Sequence, residues 1–415
     1  MPTIDIFLTA FFSAGFGAFV ASLGIGVFIL FTKSWHGQFS FDHGSSLQAI
    51  HDSPVPRIGG IAIFLGVLGA YLYLTVRFQG PAPMPRDFSA VREVVNSYFL
   101  NKPPAELLSL LGVALLAGIP AFTFGFMEDL TKRVSVRARL LATMFSGALA
   151  CLVTGYSLTS LGIPGDGLIL NVYGISIVFT AFATGGVANA INIIDGLNGL
   201  ASSTLIVAFW ALATVAVSVG DIPVVWLCCI MGSAVLGFFL LNWPYGRIFL
   251  GDGGSYFCGF TLAWACVLLV ERNHSVSPFA CLLICILPIT EVLFSVYRRW
   301  SRNTSPGMPD RLHLHSLLNR RVFQLIRLAV VSTRRNPRAG MIKGSSLAGL
   351  VIGLSNILPA FLAYFLYQST VMCIVACCLC VFGYVMVYSR LVLSRWGWLS
   401  LMTLPKSTRS FHRNR

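Results

Sequence analysis

The chain alternates between long apolar runs and short polar turns. A helix rises 1.5 Å per residue, so crossing a hydrocarbon core about 30 Å thick takes about 20 residues. Eleven runs meet that length: about 5–31, 58–76, 105–127, 138–157, 168–188, 198–219, 223–241, 253–270, 278–297, 347–367 and 370–391. Asn171, Gly174, Gly185 and Gly186 interrupt the fifth. The first does not read as a cleavable leader: its early charge is Asp5, no basic stretch precedes it, and Lys33 follows it. The predicted fold class is all-α, a polytopic integral membrane protein of about eleven transmembrane helices. Residues 1–391 read as one polytopic domain that includes a long basic loop at 298–346, and 392–415 as a basic tail.

Composition agrees with the pattern. Of 415 residues, 56% are hydrophobic and 11% charged, against roughly 25% charged in soluble domains; the mean hydropathy is +0.78. A disordered chain, a soluble nucleic-acid binder and a disulfide scaffold are all excluded, and no nucleic-acid partner is expected. Most of the eleven cysteines lie in apolar runs, among them Cys228, Cys229, Cys373 and Cys377, where cysteine behaves as a small hydrophobe.

The net charge of +14 is distributed unevenly. Of the 29 Lys and Arg, all but Arg77, Arg86, Arg92, Lys102 and Arg272 fall in the odd-numbered loops and the C-terminal tail. Basic loops stay in the cytoplasm, so the N-terminus is predicted outside and the C-terminus inside, as an odd number of spans requires.

The costly polar groups gather on the same, cytoplasmic side. Glu128 and Asp129 end the third span in GFMEDLTKR, and Asn189, Asn192 and Asp195 end the fifth in NAINIIDGLNGLA. Asp252 begins the eighth in FLGDGGS, and His313 and His315 lie in PDRLHLHSLLNRR. Ionisable groups at membrane depth are expensive and point to function, although an interhelical polar zipper is a competing use of the asparagines. Residues three apart share a helix face, so the Asn-Asn-Asp series is predicted to present one polar surface, with Gly196 and Gly199 admitting a ligand or a second helix closely. Carboxylates without clustered His or Cys suit Mg²⁺, which binds through one or two carboxylates plus phosphates and water. The loop Arg298–Lys343 carries eleven Lys and Arg against the single acid Asp310. Within it Leu314, Leu317, Leu318, Val322, Leu325 and Ile326 recur at helical spacing, which predicts an amphipathic helix on anionic lipid.

Taken in this order and on this side, the segments resemble the polyprenyl-phosphate N-acetylhexosamine-1-phosphate transferase family (MraY/WecA-like, glycosyltransferase family 4), and the eleven spans resemble its WecA-type branch. PVPRIGG at 54–60, with His51 before it, resembles that family's first cytoplasmic loop. NxxNxxDGLxGLA and FxGDxGS carry the likeness most specifically. It implies transfer of a HexNAc-1-phosphate from a UDP-sugar to undecaprenyl phosphate, giving undecaprenyl-diphospho-sugar and UMP, the first membrane step of a cell-surface glycan. The implied setting is a bacterial cytoplasmic (inner) membrane with the active site on the cytoplasmic face. Mg²⁺ is the implied cofactor, with Mn²⁺ as a substitute, and the implied partners are undecaprenyl phosphate, a UDP-N-acetylhexosamine, the bilayer and a second copy in a homodimer.

Carried over by position, Asp252 and Asp195 would hold the metal, and Asp129, Glu128 and Asp195 would be catalytic. Asn189, Asn192, Gly196, Phe249, Arg57, Arg311, His313 and His315 would contact substrate. Two positions depart from the family pattern. Glu128 stands where an Asp-Asp pair is usual, and Ser316 ends HLHS where HxHH is usual. The absence of a triple-histidine run argues against the peptidoglycan MurNAc-pentapeptide donor. A secondary transporter is the rival reading, but transporter sites lie near the midplane in repeated halves, whereas these acids lie at one membrane face.

Overall fold

The computed structural model describes residues 2–42, 55–79, 105–302, 312–320 and 344–393. Among these, helices dominate. A π-helical segment, Phe11–Gly15, joins α1 (Pro2–Ala10) to α2 (Phe16–Phe31), and α3 (Lys33–Ser40) leads into strand β1 (Phe41–Asp42). Strand β2 (Val55–Pro56) pairs antiparallel with β1, Phe41 opposite Pro56. Then come α4 (Gly60–Gln79), α5 (Ala105–Thr131), α6 (Val136–Thr154), α7 (Gly167–Leu170), α8 (Tyr173–Ile194), α9 (Leu200–Val219) and α10 (Ile222–Asn242). The remainder are α11 (Gly251–Arg272), α12 (Pro278–Ile284), α13 (Ile286–Trp300), α14 (Leu314–Leu318), α15 (Gly344–Leu354), α16 (Ile357–Leu366) and α17 (Thr370–Leu393).

Ten described segments are long and apolar enough to cross a membrane, and α12 with α13 makes an eleventh if that bent pair counts as one span. The protein is an all-α polytopic membrane protein. Helix α11 is its axis: 94% of its spanning window is buried, against 22% for α17. Trp264, Phe257 and Phe260 of α11 are completely enclosed, and α11 packs against α4, α5, α8 and α9. Small residues permit the contacts that matter below. A Cβ on Gly60 would lie 2.3 Å from the Gly254 backbone, and one on Gly125 would lie 2.6 Å from the backbone of Asp252 and Gly253. Thus α4 and α5 both press against the first turn of α11.

The structure corrects two expectations. The ninth run is not one straight helix, because α12 and α13 meet at 79° around Cys285. Pro288 has no N–H to return to the Ile284 carbonyl, and Asn356 supplies the missing donor there at 3.2 Å. The fifth helix is shifted along the sequence. It begins at Tyr173 and runs on to Ile194, so Asn189 and Asn192 lie within it. Asp195, with ψ near 47°, has left the helix, and the predicted three-residue polar face therefore ends at Asn192. The described part of the amphipathic segment, α14, packs against α17. Leu317 is buried with Tyr384, Tyr388 and Leu391 of α17. Val322, Leu325, Ile326, Arg311, His51 and the tail from 394 fall outside the described residues.

Candidate active site

The site forms where α5 and α8 end and α11 begins. Gly251 has φ +75, and a Cβ there would meet the Arg57 carbonyl oxygen at 2.0 Å and an Asp129 carboxylate oxygen at 2.6 Å. Only glycine fits this approach. The chain before Gly251 is stitched to the PVPRIGG segment: Phe249 N–H donates to the Pro56 carbonyl, Gly59 N–H to Phe249, and Gly60 N–H to Leu250, each at 2.9 Å. Two motifs nearly two hundred residues apart therefore form one unit.

Asp129, 1% exposed, accepts the Asp252 N–H on Oδ1 and the Gly253 N–H on Oδ2, both at 3.0 Å. A carboxylate from α5 thus caps the positive end of α11, where free N–H groups favour an anion. Asp252, 6% exposed, bonds Arg139 through Oδ2 and accepts the Asn192 side-chain amide on Oδ1 at 3.0 Å. Arg57 Nη2 lies 3.6 Å from Asp252 and its Nε 3.8 Å from Asp129. Asn192 also donates to Ser255 at 2.9 Å and accepts from the Tyr256 hydroxyl at 3.3 Å. Glu128 takes the Val134 N–H at 2.8 Å and stands 3.9 Å from Arg139.

Asp195 faces the same cluster from the turn after α8. Burial pushes its carboxyl well above the ordinary aspartate range; Arg57 opposes the shift, and the fields of Asp252 and Asp129 add to it. Four carboxylates (Glu128, Asp129, Asp195 and Asp252) therefore share two guanidiniums, Arg57 and Arg139, beside one helix N-terminus. No group of three His, Cys, Asp or Glu side chains encloses a metal by itself among the described residues. The donor chemistry still fits Mg²⁺, since that ion takes few protein carboxylates and completes its shell with water and phosphate oxygens. The surplus of crowded negative charge is what a divalent cation would offset.

Of the remaining sequence candidates, Asn189 points elsewhere. Its amide donates to the Gly185 carbonyl at 2.8 Å and to Thr143 of α6 at 3.2 Å, which is an interhelical contact. Phe249 contributes its backbone to the stitching, and Gly196 is exposed at the turn. His315 approaches that turn: its Nε2 would lie 3.0 Å from a Cβ on Gly196. His313 lies buried beside it, the two rings stacked with centroids 5.3 Å apart. Sequence reasoning missed Arg139, Ser255, Tyr256 and Glu291. Arg139 was legible only as one charge of a basic loop, and Glu291 as a lone acid inside an apolar run.

The fold and site define a polytopic membrane protein with a buried acidic and arginine cluster at one end of its bundle. Comparison with known proteins gives the class a name. The family model for glycosyl transferase family 4 matches residues 111–270. An undecaprenyl-phosphate alpha-N-acetylglucosaminyl 1-phosphate transferase of Salmonella typhi is 31% identical over 270 residues, 61% of this chain and 71% of the relative. The protein of the same name from Yersinia pestis is 29% identical over 293 residues, 67% and 71% of the two chains. A decaprenyl-phosphate N-acetylglucosaminephosphotransferase of Mycobacterium tuberculosis is 29% identical over 352 residues, 75% and 80% of the two chains. The chain belongs to glycosyl transferase family 4, and it is a membrane-embedded transferase.

Proposed function

We propose that this protein transfers a HexNAc-1-phosphate from a UDP-HexNAc to undecaprenyl phosphate, releasing UMP, at the cytoplasmic face of a bacterial inner membrane. One observation supports this reading above the others. Four sequence-distant segments deliver Arg57, Asp129, Asn192 and Asp252 to a single cluster in which carboxylates outnumber guanidiniums. Two phosphates that must react with one another need such a place, where cationic groups can receive them and buried carboxylates can handle a metal and a proton.

Asp252 and Asp195 would hold Mg²⁺, and Mn²⁺ could replace it. The ion, when bound, screens the two phosphates and stabilises the departing UMP. Arg57 and Arg139, which now lie on Asp252, are placed to turn toward phosphate oxygens once its carboxylate is otherwise engaged, with Arg offering the planar fork that suits them. Asn192 orients Asp252 through its amide. Asp129 would accept a proton from the lipid phosphate, or attack the phosphorus of the donor's sugar-1-phosphate, releasing UMP and leaving an acyl phosphate that the lipid phosphate then displaces. Its geometry gives it a second duty, since both oxygens fix the amides that present Asp252. Glu128 supplies supporting charge. The exposed turn at Gly196 and the two histidines would face the sugar and its phosphates.

The relatives named above point to UDP-GlcNAc as the first donor to try. Purified protein in detergent, given UDP-GlcNAc, undecaprenyl phosphate and Mg²⁺, is expected to release UMP only when all three are present. Absence of release with every UDP-HexNAc tried would overturn the assignment. The orientation is tested by cysteine labelling of whole cells: a thiol placed at 166 is expected to react from outside and one at 311 to be protected, and the reverse would refute it.

A further inference from the structure

Glu291 is the one acid of α13, and it is buried, 4% exposed. It sits at the edge of an apolar cavity of ≈ 550 Å³ lined by Leu287, Leu314, Leu318, Leu362 and Tyr384. A carboxylate beside such a surface is costly unless it is fully engaged. Its partners are the two histidines. Oε1 lies 2.9 Å from His313 Nδ1 and accepts the Leu314 N–H at 3.0 Å, while Oε2 lies 3.9 Å from His315 Nδ1. The carboxylate therefore bonds His313 and the Leu314 N–H directly, while His315 Nδ1 stands near it beyond hydrogen-bond reach. The other ionisable groups around it are Tyr384 of α17, beside the carboxylate, and Arg298 of α13, whose guanidinium rests 5.4 Å from the Tyr388 ring centre.

The consequence lies on the opposite edge of the imidazoles. A histidine whose Nδ1 is held has Nε2 as its remaining polar atom, and the group holding Nδ1 sets both tautomer and ring direction. His313 is held in this way, and His315, stacked on it, turns its own Nε2 edge to the Gly196 turn next to Asp195. The two rings are parallel within 9°, so the held His313 braces His315 by stacking. The bend between α12 and α13 is what carries Glu291 beneath this turn rather than further along the spanning axis.

We propose that Glu291 is a positioning residue for the transfer reaction: it holds His313, on which the His315 ring stacks, and so keeps the His315 Nε2 edge at the Gly196 turn, where the donor's phosphates and sugar bind. The proposal rests on the transferase reading for the meaning of that turn. Its structural content does not depend on the activity.

The test compares wild type with Glu291→Ala, Glu291→Gln and Glu291→Asp as full chains in detergent. Two readouts are used: the rate at which diethylpyrocarbonate modifies the peptide bearing His313 and His315, with exposed His274 at the far end as reference, and the kinetics of UMP release. Glu291→Ala is expected to speed modification of that peptide but not of His274, and to lower kcat by about 10- to 100-fold, the range for removing an outer carboxylate that orients a histidine. Glu291→Gln keeps an acceptor at Oε1 and should restore most of both. Combining Glu291→Ala with His315→Ala should cost no more than His315→Ala alone, because the two act as one unit. Unchanged modification rates, or fully additive losses, would overturn the proposal. If Glu291→Ala does not fold, Glu291→Asp decides by the same criteria, since its carboxylate is one methylene short of His313. If the wild-type protein releases no UMP, the transferase reading falls while the modification rates still judge Glu291.

Discussion

Both ends of the helical bundle carry buried carboxylates paired with arginine, and they are built differently. At the end away from the site, Arg272 bonds Asp221 through Nε at 2.8 Å and Glu106 through its terminal nitrogens, with the Tyr156 ring centre 5.8 Å away. Asn273 also donates to Asp221 at 2.8 Å, and Asp221 caps α10. The Glu106 side chain is 45% exposed, so water meets the charge that Arg272 leaves over. Every group there has a partner or solvent, and the cluster holds helices together. At the other end, Asp129 and Asp252 have almost no access to water, Glu128 and Asp195 add two further carboxyls, and among the described residues Arg57 and Arg139 pair with this crowd. The same residue types form a closed staple in one place and an electrostatically unfinished site in the other. Buried charge without full compensation is expensive, and that imbalance is what gives the cluster a functional reading.

The largest effect should follow from Asp252→Asn. Asn keeps the shape and can still meet Arg139 or Asn192, but the charge is gone, so UMP release is expected to fall to background while the protein remains folded and inserted. Near-normal release would remove Asp252 from the site. Next comes Asp129→Asn, which loses the carboxylate and also sets an amide group against one of the two N–H donors of α11. Glu128→Gln should cost less, since Gln can still accept from Val134, and Glu128→Asp should stay close to wild type. Rates at saturating Mg²⁺ give the order. Equal loss in Glu128→Gln and Asp129→Asn would mean that Glu128 does chemistry of its own.

The smallest effect on chemistry should come from the staple. Arg272→Ala leaves Asp221 buried with Asn273 as its remaining polar side-chain partner, a loss of about 3 kcal/mol or somewhat less where water enters. The apparent melting temperature in detergent should fall, while UMP release per folded molecule stays at the wild-type rate. A collapse of activity in folded Arg272→Ala would erase the contrast between the two ends.

The helical architecture was largely legible in the sequence because spanning a membrane demands long apolar runs, and α2, α4, α5, α6, α9, α10, α11 and α17 lie close to the runs read from pattern. The site's main parts were legible too, as Asp129, Asn192 and Asp252 interrupt those runs. The misses have physical causes. Hydrophobicity does not register a bend, so 278–297 read as one helix although Pro288 marks the start of a new one. The fifth helix was cut short because Asn189 and Asn192 look like a polar end, whereas both satisfy their amides within the bundle. Arg139 opens a spanning helix amid loop charges, and nothing in the local pattern says that it reaches across to Asp252. Glu291 gave a signal, a single acid in an apolar stretch, whose meaning depends on histidines about twenty residues further on.

In the proposed reading the acidic end takes a divalent cation and the staple does not. Mn²⁺ titrated into purified protein with UDP-GlcNAc present, followed by electron paramagnetic resonance, tests it most directly. The account predicts one bound Mn²⁺ per chain, displaced by Mg²⁺, lost in Asp252→Asn and retained in Arg272→Ala. Equal Mn²⁺ binding by wild type and Asp252→Asn would contradict it.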